Sequence, residues 1–360
     1  MLSTDPRVDE ASTLPRTSQE KAVSAKRSFA QRPSNYKIKA ITLLNLGAFI
    51  DLVKGQARFH DCEFTGSKLR FFLNIVHPKA APKAFMVFDA NKKQYVGFVH
   101  HSSSWDIGGL EEYLEDIYTL PEANGAGRAA FEELETRSAD ANAAKLSWSV
   151  MASNERAIGF YNCMNAAEIA KSNIDLSHLL DRHSSQYLNL IENVRYSEFK
   201  VETLNSINLI ELQVDLKASG ISEKIDHLSA IRRDPSADII IARDARRQIV
   251  GCIVVNTNFS SFRTVNGVQL SKPYVLDKNC SEKQKSNILN SLLYGAVEYA
   301  RATKRTGHLN AYVAANDQFT QGHYESYGGV KQTMTDDPAS VFMIMGKSIQ
   351  PSQASAHPVR

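Results

Sequence analysis

Apolar positions along this chain fall into short runs of strand length, and the order of those runs occurs twice. AFMVFDANKKQYVGFVHHSSS, from Ala84, aligns with ADIIIARDARRQIVGCIVVNTNF, from Ala237. Each reads as two strands joined by a polar turn, with Asp-Ala before the turn and Val-Gly in the second strand. KLSWSVMASNERAIGFYNCMNAA, from Lys145, aligns with HLNAYVAANDQFTQGHYESYGGV, from His308. Each predicts an apolar strand, an Asn, a short helix carrying an aromatic pair, and a run of small residues. Gly97 matches Gly251, Asn154 matches Asn316 and Tyr161 matches Tyr324 at nearly constant offsets, which points to duplication of a whole domain.

Helical patterns stand at matching places in both copies. One precedes each hairpin (Leu43 to Phe59; Leu204 to Leu216), and one is central (Gly127 to Ala139; Glu282 to Arg301). Strands with helices between them predict an α/β fold (α+β, mixed sheet) in each of two tandem domains. The expected domains are 36–175 and 195–347, joined by a linker at 176–194 that reads as helical from about Ile174 to Val194. The polar ends, 1–35 and 348–360, hold little to bury and are expected to be disordered tails.

A chain of 360 residues exceeds one ordinary core, in keeping with two domains. A formal net charge of +3 gives no reason to expect a nucleic-acid partner. Cys62, Cys163, Cys252 and Cys280 stand apart with no CxxC pair, so neither a zinc site nor a disulfide framework is signalled, and a reducing compartment is expected. His60, Asp61 and Cys62 are consecutive and would not converge on one ion, so no metal is expected. No apolar run approaches the roughly 20 residues that span a bilayer, and the N-terminus lacks the apolar core of a secretory signal. These features predict a cytoplasmic protein without a membrane partner; a homodimer stays open.

Candidate chemistry concentrates in YLEDIYTLPEANGAGRA, Tyr113 to Ala129. A strand-type run carries Glu115 and Asp116 and stops at Pro121; a side-chain-poor turn (Asn124, Gly125, Ala126, Gly127) then opens a helix. First-turn amides have no partner inside a helix, and the helix dipole adds partial positive charge there, so such a start can cradle phosphate. Paired acids upstream set proton-transfer groups beside that ligand, which suggests an enzyme using a phosphorylated acyl carrier. Neighbours on a strand point to opposite faces, so only one of Glu115 and Asp116 should face a given cleft unless a bulge redirects the chain.

The first copy resembles the GCN5-related N-acetyltransferase (GNAT) superfamily. The superfamily's pyrophosphate pattern, [Q/R]-x-x-G-x-[G/A], is filled by Asn124, Gly125, Ala126, Gly127, Arg128 and Ala129, with Asn124 departing from the usual Gln or Arg. Its later motif is met by Asn154 and by Phe160-Tyr161. SSSWDIGGLEEYLEDIYT, from Ser102, looks like the diamine and thialysine acetyltransferases in its Leu-Glu-Asp strand. The resemblance implies acetyl-CoA as co-substrate, cradled by residues 124–129 with Asn154 and Phe160, and a backbone donor near Ile117 or Tyr118 for the thioester oxygen. It implies Tyr161 as general acid, Glu115 as proton acceptor, and Glu115 and Asp116 in the amine site. Trp105 is a candidate wall against an alkyl-ammonium chain, whereas His100 and His101 read as structural or solvent-facing. The second copy's loop, CSEKQKSNILNSLL from Cys280, has no glycine, so coenzyme binding there is disfavoured.

The chemistry explains the need for an acid. An amine with a pKa near ~10.4 is almost wholly protonated at pH 7, a penalty of about 4 to 5 kcal/mol that a carboxylate can relieve by taking the proton. The expected function is acetyl transfer to a primary amine of a small molecule, polyamine or amino-acid-like, by direct attack. Detoxification of an amine antibiotic or toxin uses the same machinery. Protein N-acetylation and a non-catalytic acyl-CoA-binding regulator are the rival readings.

Overall fold

The computed structural model describes residues 35–59, 64, 72–73, 75, 82–169, 171–204, 206–221, 227–260, 265–331 and 342–348. The expected tails, apart from Asn35 and Ser348, and His60, Asp61 and Cys62 lie outside the described residues. The first half contains β1 (Tyr36–Ala40), α1 (Leu46–Phe59), β2 (Pro82–Asp89), β3 (Gln94–Asp106), β4 (Gly109–Thr119), α2 (Ala126–Asp140), β5 (Lys145–Met151), α3 (Glu155–Cys163) and β6 (Ala167–Glu168). β7 (Lys171–Asp175), a 3-10 turn (Ser177–Leu180) and α4 (Ser185–Arg195) follow. The second half contains β8 (Lys200–Thr203), α5 (Ser206–Ala218), α6 (Leu228–Arg233), β9 (Ala237–Arg243), β10 (Ile249–Ser260), β11 (Val265–Leu270), β12 (Tyr274–Val275), α7 (Glu282–Ala302), β13 (Leu309–Ala314), α8 (Gln318–Ser326), β14 (Val330–Lys331) and β15 (Phe342–Ser348). The stretch read as helical from Ile174 thus opens with a strand, and its helix starts only at Ser185.

Two mixed sheets result, ordered β1-β2-β3-β4-β5-β15-β6 and β14-β7-β13-β11-β10-β9-β8. Each has one parallel pair, β4 with β5 and β11 with β13. The duplication holds strand for strand, with one exchange. β7, from the first half, pairs with β13 in the second sheet, and β15, from the second half, pairs with β5 in the first. Both sheets belong to one compact unit that starts at Tyr36.

The matched glycines have the same physical cause. A Cβ on Gly97 would sit 2.7 Å from the carbonyl oxygen of Tyr118, and one on Gly251 would sit 3.0 Å from that of Tyr274 and 2.6 Å from Ile288. Both glycines also adjoin a break in register between their own hairpin strands. Each lets the next strand come close to the hairpin.

Amphipathic helices cover the sheets. α1 buries Phe49, Ile50, Val53 and Ala57, at spacings of one face of a helix, against Met86 and Phe98. α2 buries Phe131 and Leu134 against Val87, Val99, Leu114 and Trp148 on the other face. α7 plays that part in the second half, with Ile288, Leu292 and Ala296 under Ile253 and Leu270. The halves meet at the tip of the β3–β4 hairpin. Asn256 accepts from the Trp105 backbone N–H at 2.7 Å, and the Tyr274 hydroxyl donates to Asp106 at 2.9 Å. Among the described residues no helix is long and apolar enough to cross a membrane.

Candidate active site

β4 and β5 run together only from Glu111–Lys145 to Leu114–Trp148, although β4 continues to Thr119 and β5 to Met151. Beyond that point the strands part, and β4 keeps a neighbour on one side alone, β3. The main chain of Asp116, Ile117 and Tyr118 borders this fork. Ile117 packs on the α2 side and Tyr118 on the α1 side.

At the fork the β3–β4 ladder slips by one residue. His100 faces Asp116 and His101 faces Leu114, which leaves Glu115 as the extra residue of a β-bulge. The bulge answers the alternation problem for the two acids. Ser102 Oγ donates to Glu115 Oε1 at 2.6 Å, and His100 Nδ1 lies 3.1 Å from Asp116 Oδ2. His100 and Ser102 are two apart on β3 and share a face, so the carboxylates they hold share it too. Gln56 on α1 donates to the second oxygen of Asp116 at 2.8 Å. Gln56 sits in no recognisable motif, and Ser102 only heads the SSSWDIGGLEEYLEDIYT stretch; the pairing of elements reveals both as partners of the acids.

The two acids differ in surroundings. Burial pushes the Glu115 carboxyl up to about 7, Asp116 adds to the rise, and His100 and the Ser102 hydrogen bond oppose it. Asp116 is buried between two hydrogen-bonding side chains. His101 is also buried, with Nδ1 2.8 Å from Glu112, and burial keeps its ring below the ordinary histidine range despite that carboxylate. Both histidines are therefore structural, each beside an acid of β4.

Tyr161 stands on α3, packed on Trp148 with ring centroids 4.6 Å apart and on Phe131 at 5.8 Å. Its hydroxyl makes no hydrogen bond among the described residues. Burial, then the nearby Asp116 and Tyr113, raises its pKa above the usual phenol value, so it keeps its proton. The Trp148 indole N–H, at the last position of β5 that pairs with β4, is buried without a partner among the described residues. Two donors thus await an acceptor near the fork.

The turn before α2 fits a phosphate ligand. Gly125 has φ of 90°, which only glycine adopts easily, and it caps α2 without a side-chain hydrogen bond. Gly127 is different. A Cβ there would meet Phe160 and Thr119 at 4.0 Å, an ordinary contact, so packing inside the protein does not demand a glycine. What the small residue keeps open is the outer side of the first turn. Asn124 offers its carbonyl to the Tyr36 hydroxyl at 3.0 Å, and Ala126 is buried under the turn. Arg128 Nε pairs with Glu132 at 3.1 Å, and Ala129 continues the helix, its amide bonded to the Gly125 carbonyl. Asn154 caps α3, its side chain accepting from Ala157 at 3.0 Å, and Phe160 flanks the Gly127 position. The structure therefore gathers residues 124–129, Phe160 and Tyr161 around the fork with the acid pair. It does not bring Trp105 there. That indole donates to Asp234 at 2.7 Å and packs in the second half's core, at the far end of the hairpin.

The corresponding place in the second half is built differently. Gly97 pairs with Thr119 and Gly251 with Val275, so Ser271 and Lys272 occupy the positions of Glu115 and Asp116. Ser281 occupies that of Gly125. It closes a capping box with Gln284, which satisfies the Ser281 and Gln284 amides internally. Its α8 is capped by Asp317, one residue beyond the Asn316 that sequence alignment matches to Asn154.

Comparison with known proteins agrees with this layout. Residues 54–164 match the Acetyltransferase (GNAT) family. A tandem GNAT protein from the clavulanic acid biosynthesis pathway superposes with a TM-score of 0.52 at 15% identity, covering 88% of this chain and 99% of that one. A GCN5-related N-acetyltransferase from Sphaerobacter thermophilus does so with a TM-score of 0.52 at 12% identity, covering 89% of this chain and 98% of that one. At these identities the likeness is one of fold. No curated protein matches the chain.

Proposed function

We propose, from the match of residues 54–164 to the Acetyltransferase (GNAT) family, that the protein carries an acetyl group from acetyl-CoA to a primary amine of a small cationic molecule. The observation that carries this reading is the β-bulge at Glu115, which turns two carboxylates of unlike character to one face beside an open strand fork. Acetyl-CoA would supply an activated thioester. The turn at 124–129 would hold its pyrophosphate, with Gly127 leaving room for close approach and Phe160 forming a wall. Main-chain amides of Ile117 or Tyr118 would face the thioester oxygen.

The two acids divide the work. Asp116, fixed by Gln56 and His100, attracts the ammonium. Glu115, whose carboxyl sits near neutrality, takes the proton that the amine must lose before it attacks. Tyr161 keeps its phenolic proton and donates toward the departing sulfur. The second half, with a capped helix start and Ser271 and Lys272 in place of the acids, shapes and supports the first without binding coenzyme.

Thiol release from acetyl-CoA with a panel of diamines, lysine analogues and aminoglycoside-type amines tests the proposal. Turnover with at least one amine is expected, and Tyr161→Phe should lower kcat by roughly 10²-fold with little change in coenzyme affinity. Tight coenzyme binding without turnover of any amine would mark a regulator instead.

A further inference from the structure

Building on the acetyltransferase reading above, we infer that the acceptor site is shared between the halves, with Tyr312 of the second half acting as a specificity-determining residue for an amine on an alkyl chain. Tyr312 lies on β13, yet its ring centroid is 5.5 Å from that of Tyr113 on β4, with the planes inclined at 37°. Tyr113 belongs to the face of β4 that carries Glu115, and its hydroxyl is 2.7 Å from Ser149 Oγ. Glu115 and Glu111 both stand close enough to Tyr312 to reinforce the upward push that burial gives its hydroxyl.

The strand exchange sets this geometry. β7 pairs with β13 so that Asn173 lies opposite Tyr312, and the Asn173 amide donates to the Tyr312 hydroxyl at 3.4 Å. Two residues along β7, Lys171 Nζ is 3.7 Å from Glu111 on β4, and Lys145 pairs with the same carboxylate. β7 and β13 of the second sheet are thus tied against the acid-bearing face of the first.

Three further facts give this contact a direction. Tyr312 is only half-buried, as is Glu115, so neither is sealed inside the core. In the first half the position matching Tyr312 is Ser149, because Leu114 pairs with Trp148 as Leu270 pairs with Ala311. The aromatic residue therefore serves one site and has no mirror image. Finally, Lys145 and Lys171 both gather at Glu111, which lies two residues from Tyr113 on β4 on the side away from Glu115. A cationic amine is steered to the acid pair and away from the lysines, with Tyr113 and Tyr312 between. The partly exposed Tyr312 ring, backed by the buried Tyr113, suits an ammonium and its methylenes by cation–π and apolar contact.

Steady-state kinetics of the full chain decide the matter, using acetyl-CoA with alkylamines and α,ω-diamines of increasing length. Tyr312→Ser, which copies the first half's residue, should raise the amine KM roughly 3- to 30-fold while the acetyl-CoA KM stays put. Tyr312→Phe, which keeps the ring, should restore values to within about threefold of wild type. If Tyr312→Ser loses coenzyme A binding by calorimetry, Tyr312→Leu, which keeps the bulk, is read by the same criterion. Equal amine KM values and an unchanged order of preferred amines, with turnover intact, would overturn the role of Tyr312 and leave the acetyltransferase reading standing. A wild-type protein that binds coenzyme but acetylates no amine would overturn both.

Discussion

In the proposed reaction, Glu115 works against the fold that carries it. A glutamate in the unfolded chain titrates near 4.5, and here burial lifts the carboxyl to about 7. The folded protein therefore binds this proton more tightly than the unfolded one. The associated stability is complete below about pH 4.5, declines as pH rises and is gone above about pH 7. Catalysis needs the opposite state, because only the deprotonated carboxylate can accept a proton. The expected outcome is that kcat/KM for the amine climbs through about pH 7 in wild type. Glu115→Gln should remove that limb, lower kcat/KM by roughly 10²-fold or more, and yet raise stability at pH 8 by up to about 3 kcal/mol. Thermal melts at pH 5 and pH 8, beside a pH–rate profile, check both halves of the statement. Glu115 and Asp116 stand out as candidates in the sequence from their place ahead of a glycine turn. Their shared orientation is not. A bulge adds one residue without disturbing a composition that is acidic on both sides of it, and Ser102 and Gln56 become partners only once the hairpin and α1 are in place.

At the scale of elements, two helices at matching positions begin in opposite ways. α2 starts from a left-handed glycine without a cap, and α7 starts from Ser281 in a capping box. The second arrangement favours stability, since a capping residue contributes about 1 kcal/mol; the first leaves donors for a ligand. Gly127 allows the two demands to be separated. Gly127→Ala should stabilise the free protein by about 0.5 to 1 kcal/mol, because a methyl group finds only 4.0 Å contacts and helix entropy improves. The same change should weaken coenzyme binding, and Gly127→Glu should abolish it through bulk and charge. Calorimetric titration of coenzyme A, read beside the melting temperature, checks the split. Helices, hairpins and the duplication are legible in the sequence, because periods of 3.6 and 2 survive in both copies and turn residues separate them. Neighbour choice is not legible. Alternation in KSNID tells which residues face which side, and carries no instruction to pair with β13 of the other half.

For the whole molecule, the exchange of β7 and β15 makes each sheet depend on chain from the other half. β15 pairs along seven positions of β5, from Phe342–Met151 to Ser348–Lys145. Without it the β5 edge would be open beside the fork, where Trp148 and Ser149 stand, and an open edge invites aggregation. A chain ending at Lys331 retains every residue proposed for chemistry. It is nevertheless expected to lose coenzyme binding and to melt well below the full protein, as circular dichroism and calorimetry would record. A truncated chain that binds coenzyme normally would show that β15 is dispensable.

Synthesis on the ribosome gives the exchange a timetable. β5 leaves the exit tunnel complete at Met151, but its neighbour emerges only from Phe342 onward. At roughly 5–20 residues per second, the nascent first half waits on the order of 10 to 40 s with an unfinished sheet. Over that interval the exposed strand needs shielding, so this protein should be a client of ribosome-associated chaperones, and its activity should appear only once β15 has emerged.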